Sequence, residues 1–358
     1  MIPFIILLFV PIAISPFVRS IKINRIYIKN LPLFLFFLIL TFLIMFRNEK
    51  VGADTANYLI IFENNARMNW SAIGKDTAEI GFQVLNKLLA LISTNHHFYI
   101  AVMGLLVSAL IYPTYRRVSN DAALTIALFC TMSTFVMMFS GIRQMLAVGL
   151  GFIAYEFTRN KKLVFFILTV VLAVLFHTSA FIIALMYPLY HIKIKRKWMF
   201  FVVPVLLAVF VFNKPIFSFL TAIAERFTNY QGTVTSTGAY TMIVLFIFFA
   251  VFSYVIPDEN LLDSETIGLR NFLLLALVLQ MFAPLNVWAM RMNYYFIIFI
   301  PLLIPKIIES SSVRWNQFAK WGRNIMIVFF LGYFLVNAIF RSNNLNVFPY
   351  HFFWENPV

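Results

Sequence analysis

The sequence predicts an all-α polytopic membrane protein, and three observations carry that reading. Of 358 residues, 62% are hydrophobic and 12% charged, with a mean hydropathy of +0.87; a soluble domain this apolar lacks the polar surface to stay dissolved. Apolar runs of about 18 residues, enough for a helix to cross a bilayer, recur along the whole length. No polar stretch exceeds about 50 residues, so the chain reads as a single membrane domain over 1–358.

Taken in order, the apolar segments are 2–18, 31–46, 97–115, 122–139, 142–158, 163–176, 178–190, 198–213, 239–256, 267–289, 291–308 and 324–340. They predict about 12 transmembrane helices, within a range of about 10–14. The first, "MIPFIILLFVPIAISPF", has no Lys or Arg before it and no A-x-A-like site after it, so it reads as a retained span rather than a cleaved signal. Orientation comes from three short basic loops: Arg19, Lys22, Arg25 and Lys29; Arg159, Lys161 and Lys162; and Lys193, Lys195, Arg196 and Lys197. All three belong on the cytoplasmic side. That requires the chain to turn within 163–190, because one tilted helix of about 42 Å would put two of these loops on opposite faces. Two short spans meeting near His177 satisfy it, as does a re-entrant hairpin.

The segment 47–96 then lies outside, with balanced charge. Within it, 78–92 places Ile80, Val84, Leu88 and Leu91 on one face, predicting an amphipathic helix at the interface. A second outer loop, 214–238, ends in a Gly/Thr/Ser-rich stretch. The inner loop "PDENLLDSE" is acidic, against the charge rule, although acids count little there. The net charge of +14 falls mostly in short loops. It reads as topology and contact with anionic membrane lipid, and it implies no nucleic-acid partner. A single cysteine, Cys130, permits no intrachain disulfide.

Under this topology several polar groups stand near the outer ends of spans. Arg47 comes after the second span, Arg143 opens the fifth, and His177 sits between the sixth and seventh. Arg226 lies in the second outer loop, Arg291 opens the eleventh span and Arg341 closes the twelfth. Carboxylates near them are few: Asp54, Glu63 and Glu79 in the first outer segment, and Glu225 beside Arg226. An excess of guanidinium at one face points to an anionic ligand, since the planar fork suits phosphate and keeps its charge when partly desolvated. An arginine at a span end more often snorkels to headgroups, and Arg226 and Arg341 are read that way. Arg143 stands apart because Gln144 is next to it and Gly141, Gly149 and Gly151 allow close helix approach. No G-x-x-x-x-G-K-[ST] and no metal-ligand spacing occurs, so neither ATP-driven transport nor a metal or other cofactor is indicated.

Five stretches, "RNEKVGADTANY", "AEIGF", "GIRQMLAVGL", "HTSAF" and "RMNYYF", resemble in this order the blocks of the EpsG family of bacterial exopolysaccharide polymerases, which are similar to Wzy-type O-antigen polymerases. The resemblance runs from Arg47 to about Tyr295. It implies an all-helical membrane glycosyltransferase in the bacterial inner membrane, with its active site facing the periplasm. Such an enzyme moves a growing glycan from undecaprenyl pyrophosphate onto the next lipid-linked repeat and uses no nucleotide sugar or metal. Chain-length regulator and flippase proteins are the further partners it implies. By block, the resemblance singles out Arg47, Gly52, Asp54, Thr55 and Tyr58; Glu79 and Phe82; Arg143 and Gln144; His177 and Ser179; and Arg291 with Tyr294 or Tyr295.

Chemistry then suggests roles. Arg143 and Arg291, with Arg47 as a further candidate, would bind a leaving pyrophosphate whose charge grows as the sugar C1–O bond breaks. His177 is the first candidate for general base, with Asp54 or Glu79 as the second. Tyr58 and Tyr294 could stack on sugar faces, although interfacial belts explain them equally well. Three other readings remain: an O-antigen ligase, which shares the donor; a flippase or transporter for the same lipid, which predicts midplane charges and an inverted repeat; and a membrane O-acyltransferase, which has no evident use for the arginines.

Overall fold

The computed structural model describes residues 1–20, 30–75, 78–223, 237–340 and 345–355. The basic loop 21–29, Glu225, Arg226 and Arg341 lie outside the described residues. The protein is all-α. The chain gathers into two compact units, Met1–Phe181 with Arg323–Val358, and Ile182–Gly322, where the sequence reads as one domain.

The first unit holds α1 (Ile2–Ser20), α2 (Leu31–Met45), α3 (Thr55–Arg67), α4 (Ile80–Ala90), α5 (His96–Val118), α6 (Ala122–Thr131), α7 (Ser133–Ser140), α8 (Ile142–Arg159) and α9 (Leu163–Phe176). Helix α8 packs along α5 and α9, and α2 along α1 and α5. An aromatic core ties these layers: Phe4 lies edge-on to Phe135, Phe139, Phe334, Phe348 and Tyr350, with centroids 4.7–6.3 Å apart. Interlocked rings of this kind add to the packing that holds helices together where lipid is as apolar as the core.

The apolar segment 122–139 is not one straight span. It breaks at Met132 into α6 and α7, bent by 67°. Helix α9 ends before His177, whose backbone leaves the helical region (φ −156°, ψ 119°). The chain continues as a 3₁₀ run, Thr178–Leu185, and the short α10 (Met186–His191), rather than as a second α-helical span.

Helix α4 covers Ile80–Ala90 within the expected 78–92, and its faces are informative. Phe82, Gln83, Asn86 and Leu89 are buried, whereas Ile80, Leu88 and Leu91 are exposed. Polar groups inside and an apolar stripe outside suit a helix lying against lipid.

The second unit is built around α14 (Ser264–Phe282), against which pack α10, α11 (Met199–Val211), α12 (Asn213–Ile223), α13 (Thr237–Val255), α15 (Val287–Ile297) and α16 (Ile300–Glu309). Helix α14 is buried nearly all round, Arg270, Asn271 and Gln280 included. The last helix is α17 (Asn316–Phe340), whose residues from Arg323 on belong to the first unit. By length and composition, four of the described helices can cross a membrane, or up to seven if each bent pair is one span; α1, α2, α4 and α9 are shorter apolar helices. The twelve apolar segments are therefore not twelve unbroken spanning helices.

The acidic loop "PDENLLDSE" has a structural reason. Glu259 receives Nη1 of the fully buried Arg270 at 2.7 Å, and Arg270 also lies 4.0 Å from the Tyr254 ring centroid. Asp263 caps α14 through Thr266 N at 2.6 Å, and Lys306 reaches Asp263 and Glu265 at 3.3 and 3.2 Å. From the basic loop, Arg196 donates to the carbonyls of Tyr254, Val255 and Pro257 at the end of α13. Glu259, Asp263 and Glu265 are thus partners of named cations. Arg270→Ala strips Glu259 of its partner and is expected to destabilise the protein by about 3–5 kcal/mol, read as a lower melting temperature in detergent. An unchanged melting temperature would show that the pair is dispensable.

Candidate functional site

Four of the five blocks meet in the first unit. The first block docks on the break between α7 and α8. Gly52 has φ +91°, and a Cβ there would stand 2.2 Å from the Phe139 carbonyl oxygen. Its neighbours fasten the contact: Ser140 Oγ accepts from Asp54 N at 3.2 Å and donates to Asp54 Oδ2 at 3.3 Å, while Thr55 Oγ1 donates to Val51 O at 2.7 Å. The second block presses on α9, since a Cβ on Gly81 would lie 2.8 Å from Leu175 O. That close approach brings Glu79, the residue preceding α4, to the end of α9.

Glu79 is the junction. One carboxylate oxygen accepts from Arg143 Nη1 at 2.7 Å. The other accepts from the Thr178 amide at 2.9 Å and its hydroxyl at 3.2 Å, and lies 3.3 Å from His177 Nδ1. Burial alone would raise its pKa. The His177 contact, the Arg143 charge and the Thr178 amide outweigh that and hold the carboxyl at about 2, against 4.5 unperturbed. A folded value below the unfolded one means that these contacts add stability in full above pH 4.5, lost as the pH falls from there toward 2.

Arg143 is the second residue of α8, so it does stand at a helix start. Its charge is matched by Glu79, one of the few carboxylates expected near the arginines. The guanidinium lies 5.8 Å from the Phe82 ring centroid and 6.0 Å from that of Tyr58. Its Nε donates to no protein atom among the described residues. Tyr58 and Phe82 pack edge-on at 5.8 Å, and Gln144 is buried beside Arg143.

Arg47 differs from its sequence reading: it is fully buried rather than at an open span end. Residues 345–355 cover it, with a bridge between Arg47 and Phe352 and bonds from Asn48 N to His351 O and from Phe353 N to Phe46 O, each 2.9 Å. Its Nη1 donates to Ile44 O at 2.8 Å, while Nε and Nη2 donate to no protein atom among the described residues. Tyr99 stacks on Phe62 at 4.3 Å and feels the charges of both Arg47 and Arg143. Nearby, a groove of about 470 Å³ is lined mainly by apolar residues of α1, α2 and the C-terminal segment, among them Ile6, Ile39, Phe42 and Tyr350.

The fifth block belongs to the second unit. Arg291 stands in the second turn of α15 rather than at its start, because Asn286 caps the helix by accepting from Trp288 N at 2.7 Å. Tyr294 is buried, so its ring is a packing ring rather than an open sugar platform. Asn293 donates to Gln280 Oε1 and Ala276 O at 3.0 and 2.9 Å, a polar network inside the helix pair.

Sequence reasoning missed Thr178, Ser140 and Tyr99. Thr178 adjoins His177 within its block, which is a usable signal; Ser140 and Tyr99 offer none. Among the described residues, no group of three His, Cys, Asp or Glu side chains is arranged to hold a metal ion.

Compared with known proteins, the chain matches the EpsG family over residues 30–352. No curated protein and no solved structure matches it.

Proposed function

The chain belongs to the EpsG family, and on that premise we propose that it polymerises a surface polysaccharide (O-antigen, capsule or exopolysaccharide). It transfers glycan from undecaprenyl pyrophosphate onto the next lipid-linked repeat at the outer face of the bacterial inner membrane. The observation that carries this reading is the Glu79 junction, which joins its own block to an arginine of the third block and to a histidine and a hydroxyl of the fourth.

In this reading the acceptor hydroxyl attacks the donor sugar at C1. The bond from C1 to the pyrophosphate oxygen breaks, and undecaprenyl pyrophosphate leaves with the electron pair. The proton of the hydroxyl passes to His177. Arg143, held by Glu79 through one nitrogen, offers the rest of its fork to the pyrophosphate, where charge builds in the transition state. Glu79 is a positioning residue rather than the base, because a carboxyl held near 2 has little affinity for a proton at neutral pH. Asp54, tied to Ser140, orders the first block. Arg47 supplies a second buried positive charge in the same unit, and the apolar groove beside its covering segment suits part of a polyprenyl chain. Arg291 enters through the resemblance alone.

In cells assembling the cognate glycan, Arg143→Ala is expected to leave single repeats or short chains, with the protein still in the membrane. Arg143→Lys should restore little, because an ammonium lacks the planar fork. Normal long polymer from Arg143→Ala removes Arg143 from the mechanism. In a deletion strain, full polymer stranded on its carrier would favour a ligase instead.

A further inference from the structure

Tyr99, in the first turn of α5, is fully buried, and its hydroxyl bonds to no protein atom among the described residues. The ring has a structural use, since it stacks on Phe62 with centroids 4.3 Å apart. A phenylalanine would serve that stack equally well. Packing therefore leaves the hydroxyl unexplained, and a buried hydroxyl without a partner costs stability.

The groups around it are cationic. Phe62 lies one turn along α3 from Tyr58, and the Arg143 guanidinium stands 6.0 Å from the Tyr58 ring centroid. Tyr99 is accordingly within electrostatic reach of Tyr58 and Arg143, and it is within reach of Arg47 as well. Arg47 is fully buried, and the groups acting on its charge are Tyr99 and Tyr350 rather than a carboxylate. Beyond the bond from Nη1 to Ile44 O, its Nε and Nη2 have no protein acceptor among the described residues, and neither has Nε of Arg143. Water can accept such hydrogen bonds, but it does not balance a buried charge, whereas an anion does both. Arg47 and the Tyr99 hydroxyl thus call for the same kind of partner, an acceptor that carries negative charge.

We propose that Tyr99 is a substrate-binding residue whose hydroxyl donates to a lipid-borne diphosphate held between Arg47 and Arg143. The proposal rests on the polymerase reading and adds to it a neutral donor that lies in none of the five blocks. A diphosphate offers an anionic group to each guanidinium and still has oxygens for an O–H donor. Arg143 is shared with Glu79, whereas Arg47 and Tyr99 are completed only by a ligand. A hydroxyl fixed beside the diphosphate also gains strength as negative charge builds there during bond cleavage.

The test uses the full chain purified in detergent, with farnesyl diphosphate as the probe and the ligand-dependent rise in melting temperature as the readout. Tyr99→Phe keeps the ring stack and removes one oxygen. Without ligand it should melt at or above the wild-type temperature, because an unpartnered buried hydroxyl is gone. Its affinity for farnesyl diphosphate should nevertheless fall about tenfold, as expected for one hydrogen bond to a charged group. Tyr115→Phe, which alters another buried tyrosine of α5, should keep wild-type affinity. Inorganic pyrophosphate should bind the wild type more weakly than farnesyl diphosphate does; equal affinity would assign the site to the free anion and overturn the lipid-borne ligand. The proposal is also overturned if Tyr99→Phe binds farnesyl diphosphate like the wild type. A lower melting temperature of ligand-free Tyr99→Phe overturns it too, since the hydroxyl would then serve the fold. Arg143→Ala separates this assignment from the wider reading. Lost binding there, with normal binding in Tyr99→Phe, removes Tyr99 alone and leaves the polymerase reading in place; normal binding in Arg143→Ala removes both.

Discussion

His177→Ala should stop polymer growth while the membrane keeps its normal amount of the protein, with a loss of turnover of about 10²–10⁴-fold for a general base. The informative partner is Glu79→Gln. It preserves shape but removes the charge that faces Arg143 and His177. If Glu79 only positions these groups, the glutamine variant should retain measurable polymer and change the pH dependence. A neighbouring carboxylate favours the protonated ring, so neutralising it should move the acid limb of the rate profile to lower pH. If Glu79 were itself the base, Glu79→Gln would be as inactive as His177→Ala and would leave no limb to move. Polymer length on gels, with turnover of a lipid-linked repeat measured across pH, separates the two. Normal chain length from His177→Ala would eliminate the histidine.

Much of this arrangement was legible only in part. Composition was enough for an all-α membrane protein, and the order of the short blocks was enough to suggest the family. The partners within the site were not readable, because Glu79 meets Arg143 and Thr178 across 64 and 99 residues of chain. Local pattern carries no information about such pairs. The same holds for the backbone breaks. Nothing at Met132 resembles a helix stop, since no Gly or Pro is present, yet α6 and α7 bend there by 67°. The segment 345–355 has no helical period, and its role as the cover of Arg47 emerges only from pairing with 46–53. Helix α4 shows the opposite case. Its apolar stripe was readable by periodicity, whereas its buried side contains Gln83 and Asn86, which a rule written for soluble helices would place outside.

The contact between the first block and the α7–α8 break makes a sharp prediction about glycine. Both Gly52 and Gly74 have positive φ, +91° and +86°. An alanine at either is expected to cost about 1–3 kcal/mol in backbone strain. Their surroundings differ. At Gly74 the nearest atoms to an added Cβ are side-chain carbons of Ile80 at 3.4 Å, an ordinary contact. At Gly52 the added Cβ would meet the Phe139 carbonyl oxygen at 2.2 Å and Thr55 Oγ1 at 2.6 Å. A backbone carbonyl cannot swing aside as a side chain can. Gly52→Ala must therefore push the first block off the α7–α8 break and pull Asp54 away from Ser140. Gly74→Ala should lower the melting temperature modestly and leave polymer length normal. Gly52→Ala should lower it clearly further and shorten or abolish the polymer, even where the protein still reaches the membrane. Equal effects from the two variants would mean that the docking of "GADT" on α7 does not hold the site together, and the convergence of the blocks would then lose its structural basis.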